Sequence, residues 1–184
     1  MFVETEWPLG VSVLGAPKDT PPSRRCCATA ALSLAAQLAR TPAVEAYACG
    51  FAAWARWMAG LRDDPLFAEL GESDLAQRMR GNHWIYACLL DARRAAAIYL
   101  RDLAVEFAAP IAAALRAAAG AFEALVDGLG ERPVQEIAPS PWQLAPGAWS
   151  REMRHAQAAR LARAFPLEHQ AFSIVGEASA LAAA

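Results

Sequence analysis

In four stretches of this chain the large apolar residues recur at steps of three and four, the spacing that stacks side chains on one face of an α-helix. Tyr47, Phe51, Trp54, Met58 and Leu61 follow it, and so do Leu161, Phe165, Glu168, Phe172 and Val175, with an acid in the middle slot. Of 184 residues 46 are alanine, the best helix former, and sixteen of the seventeen basic residues are arginine. A chain of this length buries one sizeable core and has little room for a second domain. The expectation is an all-α bundle of about five helices with a short N-terminal β segment, residues 1–184 forming one domain.

Breakers divide the chain. Residues 1–22 read as an extended segment in which Val11-Ser12-Val13 alternates about Pro8 and Gly10. An isolated strand is marginal in water, so this segment is expected to pair with its copy in a homodimer. Ser23 is placed to cap a first helix over 24–40, stopped by Thr41-Pro42. A second helix is predicted over 43–62 and a loop or short turn over 65–71. The third, capped by Ser73, runs from 74 to 107 or breaks at Gly81, with Ile85, Leu89, Ala96, Leu100, Leu103 and Phe107 inward. A fourth covers 110–129 with Ile111, Leu115, Phe122, Leu125 and Leu129 inward. Residues 131–149, with four prolines and two tryptophans, form a loop that could serve as a lid. The last helix, 150–181, starts at Ser150 and should kink or restart near Pro166.

The net charge of −2, with arginines interleaved among acids, argues against nucleic acid as a partner. MFVETEWPLG lacks the basic and apolar regions of a secretory signal, which leads to an expected cytoplasmic location. The stretches IAAALRAAAGAFEALV and AAAIYL read as too short or too interrupted to span a bilayer, so no membrane partner is expected. There is no HExxH or CxxC and no ExxH pair from two helices, and His155 and His169 are isolated, so neither a metal nor another cofactor is expected.

Arg93 and Glu168 each occupy a slot on an otherwise apolar stripe, where a charge is costly unless it is paired. A guanidinium fits a carboxylate bidentately, so the two are expected to join the third helix to the last, as a structural ion pair. The alternative is an anionic ligand held by Arg93 or Arg94. Asn82, His83, Trp84 and Tyr86 concentrate polar and aromatic side chains nearby, and Trp54, Trp57 and Trp142 are placed to line a ligand groove. His83 and Asp91 could orient an imidazole as a general base, but no nucleophile is placed by motif. Cys26 and Cys27, in the first turn of a helix beside Arg24 and Arg25, have the one setting that would lower a thiol pKa. For all four cysteines, including Cys49 and Cys88, the expectation is a reduced and mostly buried thiol.

The runs WPLGVSVLGAP, YACGFAAWARWMAGLRDD and NHWIYACLLDARRAAAIYLRDLA, followed by a late helix carrying Glu168, resemble the helical C-terminal part of bacterial papain-like proteins related to the butirosin-biosynthesis acyltransferase and bacteriocin-processing peptidases. The resemblance covers most of the chain and rests on Gly50, Phe51, Trp54, Trp57, Arg93, Arg94 and Leu100. In such proteins the nucleophilic cysteine and its histidine belong to a preceding domain that has no counterpart here, and Cys26 and Cys27 match no catalytic motif. It implies a helical accessory domain standing alone. The reading from sequence is therefore a non-catalytic module binding a small molecule, peptide or protein partner; the competing one is a small enzyme using His83 and Asp91 or a thiol at Cys26 or Cys27.

Overall fold

A computed structural model describes residues 22–134 and 149–183. Among these the chain forms six α-helices and one small hairpin: α1 (Arg24–Arg40), β1 (Ala43–Val44), β2 (Tyr47–Ala48), α2 (Gly50–Leu61), α3 (Asp64–Glu69), α4 (Glu72–Leu103), α5 (Ala109–Leu129) and α6 (Arg151–Ala183), with a 3-10 turn at Ala104–Glu106. This is an all-α bundle with a short β segment. The expected strand and dimer contact in residues 1–15, and Trp142 in the loop, lie outside the described residues.

Two helices form the centre. α5 buries Ile111, Ala112, Leu115, Ala118, Ala119, Phe122, Leu125 and Leu129, using alanine on one side so that neighbouring backbones approach closely. Its length and composition would suffice to cross a membrane, contrary to the reading from sequence, but that apolar face is packed against α4 and α6. α6 is the hub, touching α5, α1 and α2 along its 33 residues. It runs as one helix through Pro166, where a kink or restart was expected. Proline inside a helix forfeits a backbone hydrogen bond at a cost of about 3 kcal/mol. Leu161, Ala164, Glu168 and Ala171, buried on both sides of it, hold the helical path.

Caps follow the sequence at several ends. Ser23 Oγ accepts from Cys26 N at 3.2 Å, Ser150 Oγ from Met153 N at 3.3 Å, and Asp63 Oδ1 from Leu66 N at 3.2 Å. At α4 the cap is Gly71, which places Ser73 within the first turn beside Glu72 and Asp74, acids that favour the positive end of the helix dipole. The short α3 occupies what was read as a loop or turn. α4 passes through Gly81 without a break.

The start of the second helix differs from expectation. Residues 43–48 form the hairpin, pairing Ala43 with Ala48 and Val44 with Tyr47, and Tyr47 is 74 % exposed instead of heading the core stripe. The turn carries Glu45 at φ 53°, a conformation that Asn or Gly usually marks, so the sequence held no turn signal. Gly50 then opens α2 at φ +49° against the C-terminus of α1, where a Cβ would lie 2.1 Å from the carbonyl oxygen of Ala39. Only glycine permits that approach. Gly50→Ala is expected to cost about 2–4 kcal/mol by urea unfolding, from positive φ and backbone overlap together. Gly120→Ala in mid-α5, where the added Cβ meets nothing within 4 Å, should instead gain about 0.5–1 kcal/mol.

Candidate functional site

α4 and α6 are joined by polar side chains in three places. Asn82 and Gln157 form a closed amide pair: Gln157 Nε2 donates to Asn82 Oδ1 at 2.7 Å and Asn82 Nδ2 donates to Gln157 Oε1 at 3.1 Å. Trp57 Nε1 adds a third bond to Asn82 Oδ1 at 3.0 Å, fastening α2 to the same point. One turn further, the Tyr86 hydroxyl donates to the carbonyl of Leu129, and Arg160 Nη1 donates to Leu129 O at 3.1 Å and to Arg132 O at 2.8 Å. These bonds satisfy the last carbonyls of α5, where Gly130 turns the chain at φ +71°. At the third place Arg93 grips Glu168 with both arms, Nε to Oε2 at 2.8 Å and Nη2 to Oε1.

The first and third contacts each span 75 residues of sequence. Eleven residues on α4 are therefore matched by eleven on α6, which requires the two helices to run parallel. Eleven residues make just over three turns, so the rungs share one face and stand about 16 Å apart. Glu168 is 2 % exposed, while the Arg93 side chain keeps 20 % exposure and lies over the rings of Phe172 and Phe122 at 5.2 and 5.8 Å.

The buried face of α4 is Met79, Asn82, Tyr86, Leu90, Ala97, Leu100 and Leu103. Through its first half this is rotated by one residue from the stripe read in the sequence, leaving Ile85 54 % exposed. Hydropathy favours Ile85 and Leu89, whereas Asn82 and Tyr86 take the core slots because Gln157 and the end of α5 supply their hydrogen bonds. Ile85 and Leu89 instead face a groove of about 1300 Å³ between α1, α2, α4 and α6. Phe51, Trp54 and Trp57 form its α2 wall, Leu38 closes it from α1, Phe172 comes from α6, and Arg93 with Glu168 lies at its floor. A recess of about 290 Å³ shares Trp57, Gly60, Arg78 and Ile85 with the groove and reaches Asn82, Phe67 and Trp149.

Of the residues singled out in sequence, Trp54, Trp57 and Arg93 line the groove and Asn82 lines the recess, with Tyr86 packed behind them at 6.2 Å from the Trp57 ring. Half-buried His83, exposed Trp84 and Arg94 line neither cavity. Asp91 is on the outer face, with Arg94 3.8 Å away, and no hydrogen bond joins it to His83, so that general-base pair is not assembled. The expected burial of the thiols is also corrected: Cys26, Cys27 and Cys88 are exposed and Cys49 is half-buried. Cys26 and Cys27 fall beside the Ala28–Leu32–Ala36–Ala39 face of α1, not on it.

A second polar centre was missed in the sequence. Asp64, at the start of α3, receives Arg151 Nε at 2.6 Å, Arg154 Nη2 at 3.0 Å and His155 Nε2 at 3.1 Å. The hydrogen bond from Arg151 holds its carboxyl below the ordinary carboxylate value, against a desolvation that pushes the other way, with His155 adding to the lowering. Arg154 lies 3.9 Å above Phe67, which meets Trp149 edge-on, so the start of α6 is clamped onto α3. The i, i+3, i+4 spacing of Arg151, Arg154 and His155 was the available signal; their partner, 87 or more residues away, was not.

Comparison with family models, curated proteins and solved structures finds no match to this chain. The site therefore stands on its own geometry.

Arg93→Leu, which strands a carboxylate with almost no solvent, is expected to cost about 3 kcal/mol. Glu168→Leu should cost less, because the freed guanidinium can turn towards the groove. The double variant should recover most of the loss, and a urea-unfolding cycle in which the two costs simply add would contradict the pairing. Asp64 has a depressed pKa when folded, so its contribution is present above the ordinary carboxylate range and is lost as pH falls through the depressed value. Asp64→Asn should lower the melting midpoint at pH 7, and its deficit should shrink to nothing in thermal scans taken progressively below pH 3.8.

Proposed function

We propose that this chain is a non-catalytic helical module that binds a small molecule or peptide in the groove between α2, α4 and α6. One observation carries the reading: a cavity of about 1300 Å³, walled by aromatic and aliphatic side chains, with an internally neutralised ion pair at its floor. Ligand sites are concave, largely apolar and carry few polar groups, and bundles often place them between helices. The exposed position of Asp91 away from His83, and of Cys26 and Cys27 outside the groove lining, favours binding over catalysis. The resemblance to the helical region of bacterial papain-like proteins belongs to the same proposal, as that of a helical accessory domain.

The neutral dye N-phenyl-1-naphthylamine brightens in apolar surroundings and tests the reading directly. Wild-type protein should bind it saturably. Ala53→Phe, which fills the groove from α2, should weaken uptake about fivefold or more, while Arg94→Ala, outside the groove, should leave it unchanged. Uptake that ignores Ala53→Phe would place the dye elsewhere and overturn the proposal.

A further inference from the structure

Along the outer face of α4, Cys88, Ala92, Ala95 and Tyr99 follow steps of four, three and four, and all are exposed, opposite the buried Leu90 and Ala97. Ile98 borders this strip with 62 % exposure, and Tyr99 keeps 46 %. Apolar residues scattered singly over a surface need no explanation, whereas a run of them at the spacing of a helix–helix seam marks a contact surface. The strip itself carries no charge. Its edge carries two, Asp91 and Arg94, which approach each other at 3.8 Å with side chains 80 % and 47 % exposed, so both are available to a second surface.

The order of those two charges selects what can cover the strip. A second α4 laid parallel would set Asp91 against Asp91 and Arg94 against Arg94. Turned antiparallel about a twofold axis between Ala92 and Ala95, the same strip sets Ala92 against Ala95 and Cys88 against Tyr99, and brings each Asp91 within reach of the partner subunit's Arg94. Every contact then occurs twice. Facing alanines let the two helix axes approach to about 8 Å, the close end of helix packing. An unrelated helix would have to bring a matching pattern, whereas a second copy already carries it.

We infer that the outer face of α4 is an interface between two copies of this chain, packed antiparallel across the strip from Cys88 to Tyr99. None of the strip residues, nor Asp91 or Arg94, lines the groove, so this inference goes beyond the ligand-binding reading and does not depend on it.

Sedimentation velocity of the full chain, with a reducing agent present to keep the exposed cysteines from cross-linking, tests it. Wild-type protein should pass from monomer to dimer as its concentration rises through about 1–100 µM. Ala95→Glu, at an exposed site outside the core, should raise the dimer dissociation constant about tenfold or more and leave the melting curve of the dilute monomer nearly unchanged. Asp91→Arg should weaken the dimer about tenfold and Arg94→Asp should do the same, while the two together should return the constant to within about threefold of wild type. A chain that stays monomeric up to about 100 µM, a dimer that ignores Ala95→Glu, or a double reversal no better than either single one overturns the assignment.

Discussion

A carboxylate with 2 % exposure in the middle of the hub helix cannot be left unmatched, and the bidentate grip of Arg93 on Glu168 answers that demand. Its geometry carries further than its energy. Together with the Asn82–Gln157 amide pair, also separated by 75 residues, it sets α4 and α6 parallel and in one register. A slip of a single residue would turn both rungs off the shared face, stranding an acid and two amides in the core. Register is thereby specified by polar groups, in a bundle whose alanine-rich surfaces would tolerate sliding. α5 then fills the space on one side of the ladder, with Phe122 beneath the guanidinium.

The groove follows from lengths. α2 has 12 residues, against 32 in α4 and 33 in α6, and it is anchored at its two ends. Gly50 fixes its start against α1, Phe51 stacks on His169 at 4.5 Å, and Trp57 bonds Asn82. A helix so short and so tethered cannot cover the outer flank of α4. Ile85 and Leu89, strong apolar residues by any scale, are left as a wall instead of a core. The aromatic wealth of α2 serves both purposes, since buried Trp54 supports the core and still faces the groove.

What was legible had local causes. The helical class, the caps at Ser23 and Ser150, the stop at Thr41-Pro42 and the inward face of α5 all depend on residues within one or two turns of each other. Pairing Arg93 with Glu168 was also open to sequence reasoning, because a charge on an apolar stripe implies an opposite charge somewhere else. The hairpin at 43–48 escaped because Glu45 carries its left-handed turn. The Asp64 cluster escaped because its members looked like ordinary surface charge until distant elements came together, and Arg56 and Arg78, exposed in the fold, are set apart only by lining the groove.

Composition and periodicity therefore determined by themselves that this chain is a bundle of helices, where most of them begin and end, and that its middle and last helices share an ion pair. Only the tertiary structure decided which face of α4 is core, that a groove opens beside it, and which arginines line that groove. The reason is physical: propensities and caps are set by neighbours in the chain, whereas burying Asn82 in preference to Ile85 depends on a hydrogen-bond partner 75 residues away.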